Sequence, residues 1–370
     1  MDGVLSRSSR KSLSNLLLMS QVVFVINTAH QILRACIVAS TIVVAFLCTS
    51  LAVSAQDDLQ LTIPPSALVE SNAADVSPLP ATMPPGYWIV SSHASPQDFD
   101  TSTPVFCPSV TRYDECLGFR RSDMQELTQS ILPGLPVSIY CHGSFVSWED
   151  VLVESRQTWQ WLHQSCPDRP VQMIYYSWPS DRPILNPVIQ LDIARLGRRA
   201  GRNGFYMANL IQQVPSECPV CLMGHSHGTR VITSALHLIG GGAVENYVLT
   251  PGPCPHHRLR AIFAASAIDH DWMNPGERYD KALCSVECLL NLTNSRDPAL
   301  LIYPLRHPFS CGALGFTGFT RRDRRQLGSA GQKIQTLDLT EEIGAQYSLA
   351  FITESKSWVP ADSPSVVFRP

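Results

Sequence analysis

The 370-residue chain lacks the glycine-rich loop that nucleotide- and dinucleotide-binding proteins place between a strand and a helix. Its one glycine run, Gly240–Gly242, follows a helical segment instead of opening one. We therefore expect no cofactor. Cys218 and Cys221 have a spacing found in redox and zinc sites, but the sequence has no second such pair and no His-x-x-x-His motif nearby, so we expect no bound metal.

An excess of basic residues is also missing. The chain has 28 Lys and Arg against 31 Asp and Glu, a net charge of −3. Four of the basic residues and one acidic residue lie in the first 55 positions, so the remainder has 24 against 30 and a net charge of −6. Because nucleic-acid-binding surfaces need a basic stripe, this balance excludes nucleic acid as the expected partner.

The N-terminal segment has the features of an export signal. Basic residues precede an uncharged apolar run from Ala35 to Val53, and small residues at Val53 and Ala55 are typical of cleavage after Ala55. A run of about 19 apolar residues is also just long enough to span a bilayer, so an uncleaved anchor is the competing interpretation. In both cases we expect an exported protein of the periplasm or cell envelope, with membrane association through this segment in the second case.

The composition divides the chain into four parts. Residues 1–55 are the signal peptide or anchor, and 56–85, with repeated Pro, Ser and Ala, are an exposed linker. Residues 86–355 are assigned to one α/β domain and 356–370 to a tail. Ten of the twelve cysteines follow residue 55, and an even number in an exported chain permits disulfides, although the sequence does not determine their pairing.

Strand-length apolar segments alternate with helical patterns in the α/β domain, which predicts a mostly parallel sheet with helices on both faces. Strands are expected at Tyr87–Val90, Val137–Cys141, Val171–Tyr176, Cys218–Met223, Leu259–Ala265, Cys288–Leu292 and Ile334–Leu339. Helices are expected at Trp148–His163, Ile189–Gln213 and Thr229–Ile239. In this arrangement His163 and His237 are expected on the surfaces of helices.

The most informative motif is Gly224–Gly228, which reads Gly-His-Ser-His-Gly between a predicted strand and a predicted helix. Glycines on both sides permit a tight turn that raises the Ser226 hydroxyl above the sheet, beside the N-terminus of the next helix. This predicts a nucleophile for acyl transfer to water, with the backbone N–H of His227 as one donor to the oxyanion. The second donor usually lies in the loop after an earlier strand, where the N–H of Ser144 is our candidate.

The orienting carboxylate is expected after a later strand, and Asp297 directly follows the Cys288–Leu292 segment. Asp269 and Asp271, which follow the preceding strand, are alternatives.

The catalytic base is harder to assign, because a histidine is expected after the last strand. The only histidine beyond Asp297 is His307, which precedes the last predicted strand. We take His307 as the base and His270 as an alternative. His225 and His227 flank the serine in a tight turn that directs them sideways, and no further ligands stand at a fixed spacing to make them a metal site.

Four motifs together resemble bacterial α/β-hydrolases of a group with a Trp-Pro-Ser signature, over about residues 87–351. They are His142-Gly143, Trp178–Ser180, Gly224–Gly228 and Asn294–Asp297. The resemblance implies an α/β-hydrolase fold of about eight strands, with Ser226 and Asp297 in triad positions.

Chains of this group carry the third triad member, a histidine, in a Gly-x-x-His segment after the last strand. Here the segment is Gly344–Tyr347, so Tyr347 stands where that histidine is expected. Two hypotheses follow. The chain is an exported serine hydrolase that acts on an ester or similar acyl bond of a small-molecule substrate, or it is a catalytically weakened α/β-hydrolase fold used for binding.

Overall fold

The computed structural model describes residues 85–99, 102–165, 170–181, 189–250, 258–306 and 310–344. The predicted leader, the C-terminal tail and nearly all of the linker lie outside the described residues, as do His307 and Tyr347. The parts of the domain that are described share one large sheet. None of their helices is long and apolar enough to cross a membrane.

The described residues form an α/β fold around a nine-stranded sheet in the order β3-β2-β1-β5-β4-β6-β7-β8-β9. The strands are β1 Gly86–Ser91, β2 Ser109–Asp114, β3 Gly118–Ser122, β4 Val137–Cys141, β5 Gln172–Ser177, β6 Val220–His225, β7 Leu259–Ala264, β8 Cys288–Thr293 and β9 Ile334–Asp338. From β1 to β9 every neighbouring pair is parallel, whereas β2 pairs antiparallel with both β1 and β3. The mostly parallel sheet is confirmed, and the described chain has one strand more than the eight expected.

The strands that the sequence patterns missed are β2 and β3, the antiparallel hairpin at the sheet edge. Their side chains are mostly half-buried or exposed, and both strands carry arginines, such as Arg112 and Arg120. An edge strand lacks the continuous apolar run that marks a strand buried on both faces. Continuous apolar runs therefore mark the central strands and not this hairpin.

Helices cover both faces of the sheet. The helices are α1 Met124–Ser130, α2 Trp148–Ser165, α3 Ile189–Ile211, α4 His227–Ile239, α5 Pro298–Leu301, α6 Leu314–Thr317, α7 Arg321–Leu327 and α8 Thr340–Ile343. Alternate residues of each central strand enter different cores, as expected for a strand period of two. In β4, Ile139 joins the core under α3 and α4, whereas Tyr140 joins the core that contains Trp159 of α2.

Helices α3 and α4 approach each other closely because three glycines of α3 face α4. A Cβ atom on Gly197 would lie 2.6 Å from Nη1 of Arg230, and one on Gly204 would lie 2.8 Å from the backbone nitrogen of Ala235. Between them, the carbonyl of Gly201 accepts a hydrogen bond from Ser234 Oγ at 2.6 Å. Larger residues at these positions would force the two helices apart.

The sheet has a topological switch point between β4 and β6. The chain passes from β4 to β5 in one direction and then crosses back over β4 to form β6. The loops at the carboxyl ends of β4 and β6 therefore diverge and leave a crevice, which is where open α/β sheets bind ligands. His142-Gly143 and Gly224–Gly228 stand at these two strand ends.

The eight cysteines within the described ranges are all free thiols. Cys141, Cys218 and Cys221 are buried, and Cys221 lies within β6, as expected from its apolar surroundings. Cys218 and Cys221 therefore serve the core and do not form a disulfide.

Candidate active site

Ser226 occupies a strained turn between β6 and α4. Its backbone has φ 51° and ψ −124°, a conformation that residues with a Cβ atom rarely adopt. The turn is held on both sides: the Ser226 N–H donates to Ala264 O at 3.0 Å, and the Ser226 carbonyl accepts from Thr229 N at 3.1 Å and from Thr229 Oγ1 at 2.6 Å. The side chain is partly exposed. A strained serine fixed at a switch point has the geometry expected of a nucleophile elbow.

Both flanking glycines are required by close packing. A Cβ atom on Gly224 would lie 2.8 Å from the backbone nitrogen of Thr229. A Cβ atom on Gly228 would lie 2.6 Å from the carbonyl oxygen of His142 and would also clash with that of Cys141. The Gly-x-Ser-x-Gly pattern therefore reflects the tight contact of α4 with β6 and with the loop after β4.

The loop after β4 lies directly against the elbow. A Cβ atom on Gly143 would be 3.0 Å from the Ser226 Cβ. The next residue, Ser144, is buried, and its Oγ hydrogen-bonds His227 Nδ1 at 2.6 Å. Within the described chain, the backbone N–H of Ser144 has no acceptor, and His227 begins α4, whose first N–H groups have no acceptor inside the helix. The structure thus brings together Ser226 and both residues predicted to stabilise an oxyanion.

His142 and the Trp-Pro-Ser segment hold this loop in position. The Trp178 N–H donates to His142 Nε2 at 3.2 Å, the Trp178 indole N–H donates to the His142 carbonyl at 2.8 Å, and the two rings stack. His142 Nδ1 donates to the Gly143 carbonyl at 2.8 Å. Complete burial lowers the pKa of His142 to about 3. His142 is therefore neutral and structural, and it links two motifs that the sequence showed only as separate turns.

Asp297 lies after β8, on the same edge of the sheet as Ser226. Its carboxylate caps α5 and accepts from Ala299 N at 2.9 Å and Leu300 N at 3.1 Å. Burial raises its pKa above the ordinary value despite these two hydrogen bonds. No histidine among the described residues contacts it. Because His307 falls outside those residues, a pairing of Asp297 with His307 stays a prediction.

His270, the alternative base, is paired with a carboxylate that sequence reasoning missed. His270 Nδ1 lies 2.8 Å from Asp323 Oδ2, and the histidine is partly exposed whereas the aspartate is buried. Burial acts to raise the pKa of Asp323, but hydrogen bonds from Thr320 and Asn274 and the charge of His270 together leave it below the ordinary value. A histidine oriented by a buried carboxylate is the arrangement that a general base requires.

Of the two alternative carboxylates, Asp269 accepts a hydrogen bond from Ser310 Oγ at 2.6 Å, and Asp271 lies beside the Cys311 thiol and raises its pKa. His225 is buried, and burial lowers its pKa to about 4.

The prediction that His237 lies on the surface of its helix is wrong, since its ring is buried against Gly242 and accepts a hydrogen bond from the Lys281 N–H at 3.2 Å. Among the described residues, no group of three or more His, Cys, Asp and Glu side chains could hold a metal ion.

Comparison with known proteins does not assign the chain to a family. The sequence matches no protein-family model, and no curated protein matches it significantly. The α/β architecture is therefore established by the structure, and the function depends on the geometry of the site.

Proposed function

We propose that the protein is a serine hydrolase of the α/β-hydrolase fold that cleaves an ester or similar acyl bond of a small-molecule substrate. The observation that carries the proposal is the strained Ser226 between β6 and α4, next to Gly143 at the switch point of the sheet. A strain of this kind persists only where the surrounding structure enforces it, and it is characteristic of functional sites.

In the proposed reaction, Ser226 Oγ attacks the carbonyl carbon while a histidine takes the hydroxyl proton. The negative charge that develops on the carbonyl oxygen is stabilised by the N–H groups of His227 and Ser144. The C–O bond to the leaving group then breaks, and the leaving alcohol receives the proton from the histidine. Water attacks the acyl-serine by the same route, which releases the carboxylic acid and restores Ser226.

Two histidines are candidates for the base. His307 with Asp297 follows the triad order of the resembling hydrolases. His270 with Asp323 is supported by their 2.8 Å contact and by the position of His270 after β7, on the carboxyl edge of the sheet. The two assignments differ in a testable way, because His307→Gln abolishes turnover under the first and His270→Gln abolishes it under the second. If turnover survives in both single variants at the wild-type rate, neither assignment is right.

The decisive experiment for the nucleophile is labelling with a fluorophosphonate probe. Ser226 Oγ displaces fluoride from phosphorus, so the purified protein gains one probe group, and Ser226→Ala does not. Ser216→Ala is the matched control, because Ser216 is exposed and precedes β6, at the opposite end of that strand from the elbow. An unlabelled wild-type protein across a range of pH, or equal labelling of Ser226→Ala, would count decisively against the proposal.

Export is part of the same proposal, since the apolar run from Ala35 to Val53 precedes the domain. The site then acts on a substrate in the periplasm or cell envelope. Fractionation of cells that produce the full chain tests this, and recovery in the cytosolic fraction alone would exclude it.

A second function is favoured by the environment of Asp297. Its carboxylate accepts two hydrogen bonds, both from N–H groups of its own helical turn, and Tyr347 stands where the related chains have a histidine. A hydrolase fold that has lost its base would bind its ligand and turn it over slowly. If so, Tyr347→His raises esterase activity. A high rate that is unchanged by this substitution would eliminate the binding-protein alternative.

A further inference from the structure

Arg230 is a buried cation one helical turn beyond Ser226 on α4. It is 3% exposed, and its Nε is shut off from solvent. Nε has no hydrogen-bond partner, whereas Nη1 and Nη2, which form no hydrogen bond or ion pair with the described residues, keep a small contact with solvent. A guanidinium has five N–H donors and stays protonated at all ordinary pH values. A largely buried charge without an ion-pair partner is costly to desolvate, so its position one helical turn from the elbow calls for an explanation.

The aromatic contact of Arg230 explains only part of its environment. Its Cζ lies 4.7 Å from the ring centroid of Trp272, and Cζ of the exposed Arg278 lies 4.6 Å from the same centroid. A cation–π contact covers the face of a guanidinium. The N–H groups point outward in the guanidinium plane and still need an acceptor there.

The chain makes room for this guanidinium on the side of α3. A Cβ atom on Gly197 would lie 2.6 Å from Arg230 Nη1, and one on Gly201 would lie 3.6 Å from Nε. The Cβ atom on Gly197 would also lie 3.3 Å from His227 Nε2. The other ring nitrogen of His227, Nδ1, hydrogen-bonds Ser144 Oγ. Arg230 and His227 therefore both approach Gly197, and Arg230 lies close to the residues that are predicted to donate to the oxyanion.

Three acidic side chains on the C-terminal side of β7 are engaged elsewhere. Asp269 accepts from Ser310 Oγ, Asp280 lies 3.2 Å from Lys281 Nζ, and Asp323 contacts His270. Since no ion pair joins Arg230 to a described residue, the described chain places a positive charge one helical turn from the nucleophile and supplies no counterion for it. Planar carboxylates match the fork of a guanidinium with two parallel hydrogen bonds.

We infer that Arg230 binds a carboxylate group of the ligand, so that the site takes small organic carboxylates, such as the half-esters of dicarboxylic acids. The inference names the substrate class of the proposed hydrolase and in that respect depends on the proposed function. The binding of a carboxylate does not require turnover, and this separates the two experimentally.

The binding experiment uses Ser226→Ala, which cannot form an acyl-enzyme, and titrates the full-length protein with glutarate by calorimetry. Arg230→Met is added to this background to remove the charge and keep most of the volume. We expect at least a tenfold increase in Kd. Arg278→Met is the matched control, because Arg278 contacts the same indole at nearly the same distance but is exposed, and it should leave the Kd within about threefold.

Folding of the variant is itself informative. Replacement of an unpaired buried charge by an apolar side chain of similar volume is expected to keep or raise the Tm. If Arg230→Met does not fold, Arg230→Lys retains the charge and loses the fork, and it should still weaken glutarate binding at least tenfold. Absence of glutarate binding, or an equal Kd with and without the Arg230 substitution, overturns the inference.

A turnover experiment distinguishes the two proposals. The wild-type protein should prefer p-nitrophenyl hemiglutarate over p-nitrophenyl valerate in kcat/KM, and Arg230→Met should lower that ratio at least tenfold. Labelling of Ser226 with an unchanged ratio would reject carboxylate recognition and leave the hydrolase in place. Glutarate binding that depends on Arg230, in a protein whose Ser226 is never labelled, would reject the hydrolase and leave carboxylate recognition in place.

Discussion

The strained backbone of Ser226 predicts that this residue lowers the stability of the fold. With φ 51° and ψ −124°, the turn lies in a region that disfavours any residue with a Cβ atom. Strain of this kind amounts to about 1–3 kcal/mol. Glycine relieves it but loses about 0.5–1 kcal/mol more chain entropy on folding. The balance predicts that Ser226→Gly is about 1 kcal/mol more stable than Ser226→Ala.

The two variants form a matched pair, because both remove the hydroxyl and only one removes the Cβ atom. In a domain of this size, about 1 kcal/mol corresponds to an increase in Tm of about 2–4 °C. Urea unfolding followed by fluorescence measures the same difference as a shift of the midpoint with an unchanged m-value. Both variants should also lose probe labelling. If the glycine variant is no more stable than the alanine variant, the assignment of strain to this turn is wrong.

Two further predictions concern packing and pH. Gly228→Ala brings a Cβ atom within 2.6 Å of the His142 carbonyl oxygen and should destabilise the fold by about 1–3 kcal/mol in urea unfolding, whereas Gly331→Ala, with no contact closer than 3.4 Å, should change it little. Burial raises the pKa of Glu154, which accepts a hydrogen bond from the Tyr175 hydroxyl, to about 7 from 4.5. The folded state thus holds this proton more tightly than the unfolded state, so the free energy of unfolding falls as the pH rises from about 4.5 to about 7 and is level above. Glu154→Gln removes this fall, and its stability relative to wild type should increase through that window by up to about 3 kcal/mol; a flat difference between the two curves would contradict the assignment.

The central strands and the three long helices could be predicted because their signals are local. The strand β4 was predicted with its observed bounds, and α4 begins within two residues of its predicted start and ends at the predicted Ile239, before Gly240. A buried parallel strand requires a continuous apolar run, and a helix packed on a sheet requires an apolar stripe. The edge hairpin β2–β3 lacks the first of these patterns, and its strands were missed for that reason.

Part of the site is equally local. The elbow at Ser226 needs two small flanking residues, a preceding strand and a following helix, and all of these lie within a short stretch of sequence. The order of motifs along the chain was enough to expect Ser144 near the serine, because the carboxyl ends of neighbouring parallel strands meet at one edge.

The pairing of side chains that are distant in sequence depends on the tertiary structure. His270 stands 53 residues from Asp323, and no spacing rule connects them. The tight contact of α3 with α4 buries Arg230, which has no counterion among the residues that the structure describes. The layered architecture and the position of Ser226 follow from the sequence alone, because they depend on periodicity and on the conformation of one turn. Burial and charge pairing at the site depend on which surfaces meet, and that is settled only when the helices close on the sheet.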